Sequence, residues 1–133
     1  MKILIMGGAG MIGQKLLNLI LNKGELRGQK ISEITLFDII DAPYPKNTST
    51  SIITKTGDIS DTKVSNDLIS SEPDIIFHLA AIVSGQAEQE FDLGWNINAR
   101  GSWGLFDAVR HRGESYCPRV VFTSSIAVFG APF

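Results

Sequence analysis

Apolar runs and helical periodicities alternate along this chain of 133 residues. That alternation reads as parallel strands joined by crossover helices. The run at 2–6 predicts a first strand. A helix is expected over 11–23, with Ile12, Leu16, Leu17, Leu19 and Ile20 on its buried side. Gly24 and Gly28 end it and lead into a second strand at 31–37. A loop with Pro43, Pro45 and a Thr/Ser cluster follows, then a third strand at 51–55. Asp61 is placed to cap a short helix reaching about 71, with Val64, Leu68 and Ile69 inward. Pro73 and Asp74 stop it, and 74–79 predicts a fourth strand. A long helical pattern spans 86–111, in which Phe91, Trp95, Ala99, Phe106 and Val109 recur at helical intervals. Gly101 and Gly104 would let that helix lie close to its neighbour. A fifth strand is expected at 119–123 and an exit loop at 124–133. The fold class is α/β, a doubly wound parallel sheet of about five strands in the order 3-2-1-4-5.

The first strand breaks into the cluster Gly7-Gly8-Ala9-Gly10-Met11-Ile12-Gly13, which opens the first helix. Two spacings coexist there, G-x-G-x-x-G from Gly8 and G-x-x-G-x-x-G on Gly7, Gly10 and Gly13. Either suits a Rossmann-type turn, where glycines permit a tight bend, a close approach to a pyrophosphate and close helix–strand packing. The helix start at Met11 and Ile12 would aim free N–H groups at the phosphates. The second apolar run ends in Asp38, 25 positions beyond Gly13. A carboxylate there accepts from an adenosine ribose and repels a 2′-phosphate. No Arg or Lys follows it until Lys46, so the expected cofactor is NAD rather than NADP. Asp41 is a substitute candidate, and a solvated turn is the bland alternative for Asp38.

Composition narrows the classes. A content of 44% hydrophobic and 20% charged residues is that of an ordinary globular domain. The net charge is −2 and the basic residues form no stripe, which speaks against nucleic acid or an anionic membrane as partner. Cys117 is the single cysteine and the two histidines lie far apart, so neither a disulfide nor a metal site is expected. No apolar run has the length of a membrane span, and a cytoplasmic location is expected.

In an open parallel sheet, ligands sit beyond the carboxyl ends of the strands. Those ends carry Gly57-Asp58-Ile59, His78-Leu79-Ala80-Ala81 and Thr123-Ser124-Ser125. Ala80 and Ala81 leave room for a ribose or flat ring beside the backbone. Asp58 has two open readings: it accepts from an adenine amino group, or it caps a turn. His78, at the end of an apolar strand, reads as a hydrogen-bonded structural imidazole rather than a base. Trp95 and Trp103 read as packing residues. Asn98 is placed to brace the cofactor-side loops through its amide, or else to be a plain exposed helix residue.

Taken in order, GGAGMIG at 7–13, Asp38, GDISD at 57–61, HLAA at 78–81, Asn98 and TSSIAVFG at 123–130 resemble the extended short-chain dehydrogenases/reductases, the NAD-dependent epimerase/dehydratase family. Segments 78–88 and 122–132 are most similar to a branch that oxidises sugar acids of the D-erythronate kind with NAD. The resemblance implies a cofactor site on Gly7, Gly10, Met11, Ile12, Gly13, Asp38, Asp58, Ile59, Ala80, Ala81 and Asn98. It implies Ser125 as the catalytic serine, with Ser124 beside it as a second contact and no metal. Ser84, just after the HLAA segment, has two open readings, a substrate contact or a plain loop hydroxyl. A serine hydroxyl both donates and accepts, which suits a group alternating between alcohol and ketone. Phe129 stands where many epimerases carry tyrosine. The family's Y-x-x-x-K pair has no counterpart here, since Tyr44 is followed by Thr48 and Tyr116 by Val120. The chain is therefore expected to be one incomplete NAD-binding domain, inactive alone, of an enzyme acting on a small molecule. It is also expected to form a homo-oligomer, because Phe91, Trp95 and Phe106 would be left partly uncovered. The alternatives are a nucleotide-sugar epimerase or dehydratase and a non-catalytic dinucleotide-binding module.

Overall fold

The computed structural model describes residues 1–130; the final three positions of the expected exit loop lie outside the described residues. Five parallel strands form one sheet: β1 Lys2–Met6, β2 Glu33–Asp38, β3 Ser51–Thr56, β4 Ile75–His78 and β5 Arg119–Phe122. Their order across the sheet is β3-β2-β1-β4-β5, as expected. β1 is central, pairing Lys2 to Met6 with Glu33 to Phe37 on one side and Ile3 to Met6 with Ile75 to His78 on the other.

The central strand reads as a continuous apolar run because both of its faces are covered. Ile3 and Ile5 pack with Leu17 and Ile20 of the first helix, α1 Met11–Lys23. Leu4 and Met6 point the other way, onto Leu68 and Ile69 of α2 Thr62–Ser70 and onto Leu105 and Ala108 further along the chain. Period-two alternation thus divides one strand between two cores.

The stripe expected on α1 was too wide. Gly13, Leu17 and Ile20 are buried at four- and three-residue steps, whereas Ile12 and Leu19 are each 54% exposed. Leu16 packs only at the edge. Between α1 and β2 lies a feature without a sequence expectation, a hairpin of Glu25–Leu26 with Gln29–Lys30. Arg27 at φ 55° and Gly28 at φ 75° turn it, the left-handed pair that a two-residue hairpin requires. Its arms are too short and polar to show periodicity. Asp61 caps α2 as expected, its carboxylate accepting from Lys63 N–H.

The long helix is not continuous. It comprises α3 Ser84–Gln89, α4 Phe91–Gly94, a π-helical segment Trp95–Gly101 and α5 Ser102–His111. The break falls at Glu90 (φ −123°, ψ 71°), where the chain folds α4 back on α3. A Cβ on Gly94 would stand 2.6 Å from that of Ala87. Gly101 allows the close approach anticipated for it, since a Cβ there would be 2.9 Å from Ile59 Cγ2. The buried face is Gly101, Ser102, Gly104, Leu105 and Ala108, while Phe91, Trp95 and Phe106 face solvent. Trp95 and Trp103, read as packing residues, are likewise exposed. Among the described residues no helix is long and apolar enough to cross a membrane, and no group of His, Cys, Asp or Glu is placed to hold a metal ion.

Candidate functional site

Beyond Met6 the chain turns sharply, and the turn is tied to the neighbouring strand. Gly7 and Gly8 N–H both donate to Phe37 O, at 2.8 and 2.9 Å. Gly7 sits at φ 85°, and a Cβ there would fall 2.9 Å from Ala80 N. On Gly13 it would fall 2.2 Å from Gly7 O, so helix and turn touch backbone to backbone. Gly10 meets only Gly7 O, at 3.4 Å. The two spacings differ in Gly7 against Gly8. A Cβ on Gly8 would meet Leu36 Cβ at 3.1 Å, but only Gly7 combines a positive φ with a backbone clash, which favours the spacing on Gly7, Gly10 and Gly13.

Gly10 is also the N-cap of α1. It supplies no side-chain cap, and the first turn contains no acidic residue. The first N–H groups of that helix and its positive dipole end therefore lack compensation from the chain. This is the arrangement in which a helix N-terminus receives an anion such as a pyrophosphate.

The turn forms one side of a cleft of about 650 Å³ at the strand tips. Its lining includes Gly7, Gly10, Asp38, Asp58, Ile59, Ala80 and Ala81 of the expected site residues. Asp38 closes β2, its carboxylate accepting from Ala9 N–H at 2.9 Å and Ile39 N–H at 2.7 Å. The glycine turn thus positions the acid. Asp58 accepts from Ser60 N–H at 2.8 Å, so its turn-capping reading is realised while it still borders the cleft. Met11, Ile12 and Gly13 do not line the cleft; they build the helix start beside it. Sequence reasoning missed Ile39, Ile40 and Ile82. The first two are 67% and 61% exposed. An apolar doublet straight after a strand-ending acid, ahead of a Pro-rich loop, was the available signal.

Ser84 begins α3, and Ser124 and Ser125 follow β5; all three are exposed and none lines the cleft. The described residues do not bring these serines together with the glycine turn. Asn98 does brace a cleft loop. Its Oδ1 accepts from Ile82 N–H at 2.8 Å and its Nδ2 donates to Ile82 O at 2.9 Å. His78 is 1% exposed, with Nε2 3.1 Å from Ser102 Oγ and its ring edge-on to Phe122. Burial lowers its pKa below the usual imidazole value, against a weaker opposing pull from its own backbone. A neutral, enclosed imidazole bears out the structural reading.

The family model described as NAD dependent epimerase/dehydratase family matches residues 3–133. A D-erythronate dehydrogenase of Cupriavidus necator is 41% identical over 134 residues, covering 98% of this chain and 40% of that protein. A D-erythronate dehydrogenase of Haemophilus influenzae is 33% identical over 130 residues, covering 98% and 39%. Among solved structures, a nucleoside-diphosphate-sugar epimerase from Agrobacterium tumefaciens superposes with a TM-score of 0.95 at 46% identity, covering 99% of this chain and 39% of that one. The chain spans about 40% of the length of the curated relatives it matches.

Proposed function

The chain belongs to the NAD dependent epimerase/dehydratase family, and from that premise we propose that it is the NAD-binding part of an oxidoreductase acting on a hydroxyl of a sugar acid. One observation carries the cofactor reading. An uncapped helix N-terminus, a turn with no room for side chains at Gly7 and Gly13, and a backbone-held carboxylate at Asp38 border one cleft. Gly7, Gly10, Met11 and Ile12 would hold the pyrophosphate, and Asp38 the adenosine ribose. Ile39, Ile40, Asp58 and Ile59 would border the adenine. Ala80 and Ala81 would face the nicotinamide half, on the wall that Asn98 braces. When bound, NAD supplies the hydride acceptor.

Ser125 is the residue proposed to steady the substrate oxygen, with Ser124 and Ser84 beside it. The sugar-acid reading leans on the two D-erythronate dehydrogenases. A nucleotide-sugar epimerase is the second reading, favoured by the 46% identity to the Agrobacterium protein. In the full-length enzyme of which we propose this chain is the NAD-binding part, D-erythronate should reduce NAD and a UDP-sugar should be inert; the reverse result selects the second reading. We further place the protein in the cytoplasm as a homo-oligomer with no nucleic-acid partner. The exposed Phe91, Trp95, Trp103 and Phe106 on the α4–α5 face support self-association.

Calorimetric titration tests the cofactor claim. NAD should saturate, with NADP about tenfold weaker or worse, and Asp38→Ala should remove most of that preference. Equal affinity of the unmodified protein for both nucleotides would contradict it.

A further inference from the structure

We propose that His78 and Ser102 are positioning residues for the dinucleotide cleft, holding its wall at 80–82 through a hydrogen-bond chain that crosses the π-helical turn to Asn98. The inference rests on the dinucleotide reading above and deepens it.

The chain starts beneath the cleft. His78 ends β4, and its Nε2 lies 3.1 Å from Ser102 Oγ. That hydroxyl is also 2.7 Å from Asn98 O. A carbonyl oxygen only accepts, so the one hydroxyl proton points at Asn98 and the hydroxyl oxygen accepts from His78. The imidazole is thereby assigned a proton on Nε2. Its Nδ1 is then a bare lone pair, buried and without a hydrogen-bonding partner among the described residues. Desolvation disfavours charging such a ring, so the neutral tautomer persists near neutral pH.

The π turn makes the next link. Ser102 N–H bonds Ala99 O, and the Ser102 hydroxyl takes up the Asn98 carbonyl. Asn98 is thus held by its main chain while its amide grips both N–H and C=O of Ile82. Ala80, Ala81 and Ile82 all line the cleft, and Ala80 N also abuts Gly7. Four polar groups in series therefore tie the wall to the buried end of the fourth strand. Single-turn π insertions recur at functional sites.

The test separates positioning from bulk stability. In the unmodified protein, long-range ¹H–¹⁵N spectra should show His78 protonated on Nε2 only. Ser102→Ala and His78→Phe should speed amide hydrogen exchange at Ile82 about tenfold and weaken NAD about tenfold, the scale of one lost hydrogen bond. Ser102→Thr and His78→Gln keep the hydroxyl and the donor, and should restore both readings. A proton on Nδ1, or unchanged Ile82 exchange and NAD affinity in Ser102→Ala and His78→Phe, overturns the proposal. Should a variant fail to fold, the tautomer spectrum of the unmodified protein still decides. Absence of NAD binding by the unmodified protein would overturn the dinucleotide reading, while exchange and tautomer still judge the chain of bonds.

Discussion

β1 and β5 belong to one sheet, two places apart, yet their surroundings differ. Four of the five residues of β1 are buried, and its tip runs into a turn fixed by Phe37 O and Asp38. Three of the four residues of β5 are exposed, with Val121 at 42% and Phe122 at 48%. Its ladder to β4 is intact, from Ile75 opposite Arg119 to His78 opposite Phe122. The two strands therefore differ twice over: β1 is laddered on both sides and covered on both faces, whereas β5 is an edge strand, paired among the described residues with β4 alone. A parallel strand is stabilised when helices lie on both its faces. Where they do, the strand tip is held firmly enough to shape a cleft. At β5 helix α5 covers one face, through Val120 and the Phe106–Phe122 contact, while Val121 on the other face is exposed, and Ser124 and Ser125 that follow are exposed too. The cofactor half of the strand-tip line is thus finished among the described residues, and the serine half is only sketched.

Gly13→Ala should break the finished half most severely. The new methyl would sit 2.2 Å from Gly7 O, backbone that cannot step aside. A loss of about 3 kcal/mol in denaturant unfolding is expected, with loss of NAD binding. Val121→Ala on β5 should cost only about 1 kcal/mol, because the side chain is already partly in water. Comparable losses for both would erase the contrast.

Tyr116 gives an effect of similar size to Val121. Its hydroxyl donates to Pro73 O at 2.8 Å, and Tyr116→Phe should cost about 1 kcal/mol at neutral pH. Burial, then the charges of Glu72 and Asp74, push its pKa up to about 12, with Arg112 opposing. A phenol harder to ionise when folded stabilises fully below pH 10. That stability is lost as pH rises from 10 towards 12. Unfolding curves of the variant should lack this alkaline component.

On the acid side the sign reverses. His78 is harder to protonate folded than unfolded, so the unfolded state takes up more protons below its ordinary pKa of 6.5. Stability should fall as pH drops from 6.5 towards the lowered folded value. His78→Gln should flatten that part of the stability profile, and an unchanged slope would count against a buried neutral ring. The smallest change in folding is expected at the solvent face. Phe91→Ser, at a residue 70% exposed, should alter stability by only about 0.5 kcal/mol, yet move sedimentation towards monomer.

Much of the buried half was legible in the sequence. The strand order follows from the alternation of strands and helices, the Asp61 cap from a local rule, and the glycine turn from a pattern that left only Gly7 against Gly8 to be decided. The break at Glu90 was not legible, because Phe91, Trp95 and Phe106 keep a helical interval although they face water. Periodicity reports spacing, not the side that is covered. The Ile82 clamp was half visible: a brace was one of two readings of Asn98, and the bond from Ser102 Oγ to its carbonyl is a local i−4 contact that no residue pattern ties to the cleft. Ile39 and Ile40 were missed because exposed apolar residues beside a loop look like noise until the cleft is drawn.

Chemical-shift mapping with NAD on ¹⁵N-labelled protein tests the central claim most directly. Saturable shifts should gather at the amides of 9–13, 38–40 and 80–82 and leave 119–130 nearly still. An unchanged spectrum, or shifts confined to the serine end of β5, would contradict a dinucleotide lying across the first four strand tips.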